Sequence, residues 1–98
     1  MLDTLRQDWN ALGAPAVVGQ IGEFLYTRSA GGYPHADAVN EQLVLIPLNV
    51  FRTGFVSSAA LGHIGDELHF NAAAQREFGR RYALTFLALD AEWSAGAP

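Results

Sequence analysis

The sequence predicts an α/β fold in which short parallel strands are flanked by helices. Three observations support this prediction. Two brief apolar segments, 16–21 and 53–57, have the length and the turn-forming boundaries of buried strands. A helical pattern lies between them, and two more helical patterns lie before the first strand and after the second. Because strand, helix and strand alternate, we expect two neighbouring parallel strands joined by a right-handed crossover.

Three helices are predicted from the spacing of apolar residues. The first covers 3–12 and would bury a stripe of Leu2, Leu5, Trp9 and Leu12. The second covers 36–45 and is expected to end before Pro47, because proline interrupts a helix. The third covers 72–91 and would bury a stripe of Ala74, Phe78, Tyr82, Phe86 and Leu89. Gly79 lies within this last helix at a cost of about 1 kcal/mol relative to alanine, which favours close backbone packing there.

The segments outside these elements are rich in turn-forming residues. The longest, 26–36, follows the first strand. Loops at the carboxyl ends of parallel strands border ligand sites, so we expect a site at that end of the sheet. The last residues, 94–98, are expected to fray.

Composition excludes several classes of function. The 98 residues include six Lys and Arg against ten Asp and Glu, and the net charge of -4 argues against a nucleic-acid partner. There is no cysteine, which excludes disulfides and thiolate metal sites. No apolar segment approaches the roughly 18 residues of a membrane span, and the N-terminus lacks a signal-peptide pattern. The chain as given is expected to be cytoplasmic, without a membrane partner or a cofactor.

The candidate catalytic residues are Asp66 and His69. Their spacing lets both side chains lie on one side of a turn, where the Asp66 carboxylate would accept a hydrogen bond from the Nδ1–H of His69. The other ring nitrogen would then be free to act as a general base. An N-cap-like carboxylate beside a surface histidine is the simpler interpretation of the same two residues.

Five segments carry a family resemblance: 17–25, 39–43, 57–61 (Ser-Ser-Ala-Ala-Leu), 65–70 (Gly-Asp-Glu-Leu-His-Phe) and 79–83 (Gly-Arg-Arg-Tyr-Ala). In this order, the last three resemble the final motif block of the SGNH (GDSL-like) hydrolases, and the first two extend the similarity upstream. The chain is most similar to the branch of sialate O-acetylesterases and acetylxylan esterases. In that branch, an Asp-x-x-His pair supplies two members of a Ser-His-Asp triad.

The resemblance implies a fold and an activity. Residues 1–98 would be a single-domain C-terminal fragment of a three-layer, flavodoxin-like SGNH hydrolase. The implied activity is cleavage of acetyl esters on carbohydrates, with His69 taking the serine proton and Asp66 orienting the imidazole. The Gly-Gln-Ser-Asn-like block that carries the family's nucleophile does not occur in this sequence. The implied protein is therefore a truncated esterase that requires a nucleophile from elsewhere.

The serines of the chain offer one alternative source of that nucleophile. Ser29, in the loop after the first strand, has a plausible route to the same end of the sheet. Ser57 and Ser58 close the second strand and are expected to bond to nearby backbone. None of the three lies in a Gly-x-Ser-x-Gly elbow.

A metal site is a further alternative. His63, Asp66 and His69 recur at intervals of three and could offer two imidazoles and a carboxylate. Nearby glycines favour a loop rather than the helix that this spacing would suit. Glu23 follows the first strand and could reach a ligand, but a solvated residue that begins a turn is the simpler interpretation. His35, next to Pro34 in a loop, is expected to be solvated.

Two parallel strands would leave both edges of their sheet unpaired. Open edges destabilise a small sheet and act as templates for association. The chain is therefore expected to form a homo-oligomer or to dock on a complementing chain that bears the nucleophile. If it has no activity, it would be a truncated hydrolase that serves as a homo-oligomeric assembly module.

Overall fold

The computed structural model of the chain describes residues 2–10, 13–28 and 31–96. Within these ranges four helices and two strands follow one another: α1 (Leu2–Asp8), β1 (Ala16–Gly19), α2 (Ala36–Leu43), α3 (Ile46–Asn49), β2 (Thr53–Val56) and α4 (Ala72–Gly96). A single 3₁₀ turn, Glu23–Leu25, interrupts the segment between β1 and α2. The alternation of strands and helices confirms the predicted α/β class.

The two strands form a parallel pair, as predicted. Ala16 lies opposite Thr53 and Gly19 lies opposite Val56. Both strands end slightly earlier than predicted. The N–H of Gln20 still donates to the Val56 carbonyl at 2.9 Å, but the N–H groups of Ile21 and Ser58 beyond it bond to side chains. The N–H of Ile21 donates to Asn40 Oδ1 at 2.7 Å, and Asn40 Nδ2 donates to the Ile21 carbonyl at 3.0 Å. The buried amide of Asn40 thus takes the place of a neighbouring strand.

Helix α4 packs directly on one face of this sheet. The contact is close because both strands present glycine to the helix. A Cβ added at Gly54 would lie 2.5 Å from Thr85 Cγ2, and one added at Gly19 would lie 1.9 Å from the hydroxyl oxygen of Tyr82. Sequence reasoning assigned this close approach to Gly79, which was wrong: a Cβ at Gly79 would meet no atom within 4 Å.

The buried side of α4 differs from the predicted stripe in one position. Ala74 is buried and Phe78, Tyr82 and Leu89 are partly covered, but Phe86 is 44% exposed. Thr85 occupies the sheet contact instead, because a helix with 3.6 residues per turn returns to the same side after three residues as well as after four. The tail 94–98 was expected to fray, but residues 94–96 are helical; residues 97 and 98 lie outside the described residues. Although α4 has 25 residues, no described helix is long and apolar enough to cross a membrane.

The opposite face of the sheet is covered by the short helices α2 and α3. Side chains of α2 and of β2 line a common cleft there, which places helices on both sides of the strands. Proline does not end the second helix as predicted: α2 ends at Leu43, and Pro47 lies in the first turn of α3. This position suits proline, because the first helical N–H groups have no partner within the helix.

The apolar pattern of α1 does not mark its buried face. Leu5 is 48% exposed and Trp9 is 80% exposed, whereas Arg6 is only 6% exposed. The Arg6 guanidinium donates hydrogen bonds to three backbone carbonyls, those of Phe51, Ala14 and Arg52, at 2.7, 2.8 and 3.0 Å. These carbonyls belong to the segments that lead into β1 and β2, so a buried cation joins α1 to the sheet. Leu12, the last residue of the predicted stripe, lies outside the described residues.

Candidate active site

The Asp66–His69 segment is a compact loop between β2 and α4. Its base is closed by an antiparallel bridge between His63 and Phe70. The N–H of Ile64 donates to the His69 carbonyl at 3.0 Å, and the N–H of Asn71 donates to the Gly62 carbonyl at 3.1 Å. Because β1 and β2 are parallel, this loop and the segment after β1 emerge at the same end of the sheet. The structure therefore places the pair at the predicted end.

Asp66 and His69 form the hydrogen bond that their spacing predicts. Asp66 Oδ2 lies 2.6 Å from His69 Nδ1. The other carboxylate oxygen, Oδ1, accepts hydrogen bonds from the backbone N–H groups of Leu68 and His69, both at 2.9 Å. Positive φ angles of 108° at Gly65 and 54° at Glu67 reverse the chain on either side of the carboxylate. The turn thus presents two backbone donors and one imidazole to a single carboxylate.

The electrostatics of the loop keep Asp66 ionised. The hydrogen bond from the His69 side chain, followed by the one from the His69 backbone, holds the pKa of the Asp66 carboxyl well below its usual range. An ionised Asp66 accepts a hydrogen bond from the Nδ1–H of His69, and in this tautomer of a neutral imidazole Nε2 is the acceptor. The His69 side chain is 67% exposed and that of Asp66 is 35% exposed. Nε2 is therefore open to a reacting group.

The metal site that the three-residue spacing suggested is not formed. His63 Nδ1 accepts hydrogen bonds from the N–H groups of Gly65 at 3.0 Å and Glu67 at 3.2 Å. Its ring also packs edge-on against Phe24, with centroids 5.3 Å apart. Across the described ranges, no group of three or more His, Asp or Glu side chains is placed to hold a metal ion. His63 shapes the loop, because it binds the backbone on one side and the core on the other.

The two described serines near β2 behave as strand-end residues, as expected. Ser58 is 1% exposed, its N–H donates to Gln20 Oε1 at 2.7 Å, and its hydroxyl lies 3.1 Å from Gln20 Oε1 and 3.0 Å from the Ile21 carbonyl. Ser57 Oγ accepts from the N–H of Ala59 at 3.0 Å. Ser29, the proposed in-chain nucleophile, lies outside the described residues. No described serine hydroxyl bonds to His69.

Two arginines that sequence reasoning did not assign to the site hold the loops around it. Arg28 donates from Nη2 to the Asp66 carbonyl at 3.4 Å, and its guanidinium lies 5.4 Å from the centre of the Tyr33 ring. Arg81 donates to the carbonyls of Ser57 and Ala59 at 2.9 and 3.0 Å. These contacts join the segments after β1 and β2 to each other and to α4. Only the long-range fold brings them together, so no local pattern could have identified them.

The remaining polar candidates lie in turns outside the Asp66–His69 loop. Glu23 is an exposed residue that opens the 3₁₀ turn, and His35 is an exposed residue that precedes α2. Both positions agree with the expectation of solvated turn residues. An apolar cleft connects the segment before α2 to the loop, because Leu68 lines it together with Tyr33, Pro34 and His35.

Comparison with known proteins identifies the family. The family model for carbohydrate esterases described as sialic acid-specific acetylesterase matches residues 1–88. The search of curated proteins found no match for this chain. The two-stranded parallel sheet with its helices is consistent with part of an SGNH-type fold, as the sequence predicts. The chain belongs to the carbohydrate esterase family of sialic acid-specific acetylesterases.

Proposed function

We propose that this chain supplies the acid–base half of an acetylesterase that acts on acetylated carbohydrates. One observation carries the proposal: the 2.6 Å hydrogen bond between Asp66 Oδ2 and His69 Nδ1, in a chain that belongs to a carbohydrate esterase family. The ionised carboxylate and the exposed imidazole are the arrangement that general-base catalysis requires. The rest of residues 1–98 would form the C-terminal part of an SGNH-type domain around this pair.

The proposed reaction is acyl transfer through a serine. His69 Nε2 takes the proton of the serine hydroxyl as its oxygen attacks the acetyl carbonyl carbon. His69 then returns that proton to the sugar oxygen as the ester C–O bond breaks, and the acetyl group remains on the serine. Water attacks the acetyl-enzyme in the same way, which releases acetate and restores the hydroxyl. Asp66 holds the imidazole and stabilises its protonated form.

The nucleophile in this proposal comes from outside the described residues. Ser58 is buried and engaged with Gln20 and Ile21, so its hydroxyl does not face a substrate. We propose a serine on a complementing chain, with Ser29 as the alternative within this chain.

Hydrolysis of p-nitrophenyl acetate by the purified chain tests this function. Free imidazole cleaves this ester slowly, so turnover is compared with that of an equal concentration of histidine. Turnover at the histidine level is expected if the serine lies on a complementing chain, and saturable turnover above that level is expected if a serine of this chain completes the site. His69→Gln and Asp66→Asn should each lower that turnover by about 10²- to 10⁴-fold, the usual contribution of acid–base catalysis. His35→Gln is the matched control, because His35 is an exposed histidine that precedes α2 and does not belong to the Asp66–His69 loop. Equal loss in His35→Gln and His69→Gln would contradict the assignment.

Ser29→Ala separates the two sources of the nucleophile. If the wild-type chain turns over and Ser29→Ala abolishes this, the site is complete within the chain. If turnover survives Ser29→Ala, a different nucleophile acts.

A second candidate function is a catalytically incomplete assembly module. The exposed apolar side chains of the described residues support it: Trp9 is 80% exposed, Leu48 81%, Phe51 61% and Leu87 60%. Such side chains are usually covered by a partner where they form a contiguous patch. A defined oligomer without turnover above free histidine would favour this role over the esterase.

A further inference from the structure

The Nδ1 atom of His63 binds the backbone on both sides of Asp66. It accepts hydrogen bonds from the N–H of Gly65 at 3.0 Å and from the N–H of Glu67 at 3.2 Å. A neutral imidazole accepts at one ring nitrogen and donates at the other, so His63 carries its proton on Nε2. A single side-chain atom thus serves as the acceptor for both residues that flank the carboxylate.

The two residues that His63 binds are those at which the chain turns. The φ angle is 108° at Gly65 and 54° at Glu67. Glycine adopts a positive φ freely, whereas a residue with a Cβ does so at a cost in free energy. At Glu67 the hydrogen bond from its own N–H to His63 Nδ1 offsets part of this cost. The acceptor on His63 therefore supports the conformation that turns the chain around Asp66.

The acceptor has a fixed place relative to the core. The His63 ring packs edge-on against the ring of Phe24, with centroids 5.3 Å apart. Phe24 is 9% exposed and packs in the same way against Phe70, at 5.2 Å. The backbone of His63 is paired with that of Phe70 in an antiparallel bridge. His63 is therefore anchored through both its ring and its main chain.

The other hydrogen bonds of the Asp66 carboxylate are local. It accepts from the N–H groups of Leu68 and His69 and is bonded to the His69 ring. These bonds fix the carboxylate within the turn, but they do not attach the turn to the core. Arg28 contacts the Asp66 carbonyl at 3.4 Å, which is longer than either hydrogen bond to His63. Of these two links to the rest of the fold, the one through His63 is the shorter.

We propose that His63 is a positioning residue for the Asp66–His69 pair and that it acts through its Nδ1 acceptor, not through the packing of its ring. The acceptor holds Gly65 and Glu67 in the turn, so that Asp66 Oδ2 stays 2.6 Å from His69 Nδ1. His69 then carries its proton on Nδ1, which leaves its Nε2 as the base. The catalytic part of this inference rests on the proposed esterase function, whereas the geometric part does not.

The inference gives the two histidines of the loop opposite tautomers. The proton lies on Nε2 in His63 and on Nδ1 in His69. Nitrogen NMR distinguishes a protonated from an unprotonated ring nitrogen, and at about pH 8 an ordinary histidine is neutral. The exposed His35, which precedes α2, serves as the reference in the same spectrum. A wild-type His63 with its proton on Nδ1 would overturn the inference.

Two substitutions separate the acceptor from the ring. His63→Asn keeps an acceptor, because the asparagine Oδ1 is as many bonds from Cα as Nδ1 is, but it loses the ring contact with Phe24. His63→Phe keeps a ring against Phe24 and has no acceptor. His69 should retain its proton on Nδ1 in His63→Asn, whereas in His63→Phe its nitrogen signals should move towards those of His35. The reverse pattern would assign the role to ring packing and overturn the inference.

His35→Phe is the matched control, because it makes the same substitution at an exposed histidine outside the loop. It should leave the His69 nitrogen signals unchanged. Equal changes in His35→Phe and His63→Phe would overturn the inference. If one of the two His63 variants fails to fold by circular dichroism, the other decides together with the wild-type spectrum.

Hydrolysis of p-nitrophenyl acetate gives a second readout where the wild-type chain turns over above free histidine. His63→Phe should lower kcat by about 10²-fold, the loss expected when a catalytic group is displaced, with little change in KM. His63→Asn should retain most of kcat, and an unchanged kcat in His63→Phe would overturn the inference. A wild-type chain without such turnover bears on the proposed function alone, because the nitrogen spectra test the role of His63 without a nucleophile.

Discussion

The same substitution, glycine to alanine, should have opposite effects on stability at two positions of this fold. At Gly54 the new methyl group would lie 2.5 Å from Thr85 Cγ2 and 3.2 Å from Leu89 Cδ1. Thr85 is β-branched and held on a helix, so its side chain has little freedom to move aside. At Gly79 the methyl group would meet no atom within 4 Å. One variant overpacks the helix–sheet contact, and the other only improves helix propensity.

The magnitudes follow from these contacts. Overpacking of this kind costs about 1–3 kcal/mol, whereas replacing an exposed helical glycine with alanine contributes about 1 kcal/mol. For a domain of this size, 1 kcal/mol changes Tm by about 4–8 °C. Gly79→Ala should therefore raise Tm by about 4–8 °C, and Gly54→Ala should lower it by at least about the same amount.

Thermal unfolding followed by circular dichroism, with urea unfolding beside it, measures both variants. The two are matched in chemistry, so the difference between them isolates the packing. The reasoning is refuted if Gly54→Ala is as stable as the wild type, since α4 would then not approach β2 as closely as described. It is also refuted if Gly79→Ala is destabilised, since Gly79 would then have a packing role.

Two further predictions concern the polar groups around the site. Asn40→Ala leaves the backbone groups of Ile21 unpaired and should lower the free energy of unfolding in urea by about 1–3 kcal/mol. Asn49→Ala, at an exposed position, is the control and should change that free energy by no more than about 0.5 kcal/mol. Equal effects of the two substitutions would contradict the strand-like role of Asn40. Hydrogen bonds from His69 lower the pKa of Asp66 in the folded state, so their contribution to stability is present above about pH 4 and is lost as pH falls below that value. His69→Ala removes the largest cause of the lowered Asp66 pKa, so the midpoint of acid unfolding, followed by circular dichroism, should move to higher pH. An unchanged midpoint would contradict this prediction.

Much of the fold could be predicted from local sequence because its causes are local. A valine-bearing segment between Pro15 and Gly22 and a long helical period after Asn71 each reflect interactions among residues close in sequence. The boundary errors have local causes too. Pro47 was assigned to a helix end, but the first turn of α3 suits proline equally well. Proline is compatible both with the segment after a helix and with the first turn of a helix, and only the neighbouring elements decide which of the two positions Pro47 occupies.

One part of the candidate site could likewise be predicted from local sequence, and another part could not. The bond between Asp66 and His69 depends on a turn of four residues, so the Asp-x-x-His spacing was sufficient to predict it. The contacts of Arg28 with Asp66 and of Arg81 with Ser57 join residues far apart in sequence. No residue spacing within either segment predicts such contacts.

The sequence by itself determined the α/β class, the order of the two strands and of the helices α1, α2 and α4, the geometry of the Asp66–His69 turn and the family, but not the short helix α3. The tertiary structure alone decided which surfaces are covered. Periodicity shows that α1 has an apolar side, but which side is buried depends on the groups that pack against the helix. Backbone carbonyls next to the strands accept hydrogen bonds from Arg6, so Arg6 is buried while Trp9 is exposed. The strand glycines, rather than the helical one, allow α4 to approach the sheet. Each of these outcomes depends on contacts between distant segments, which a local pattern does not contain.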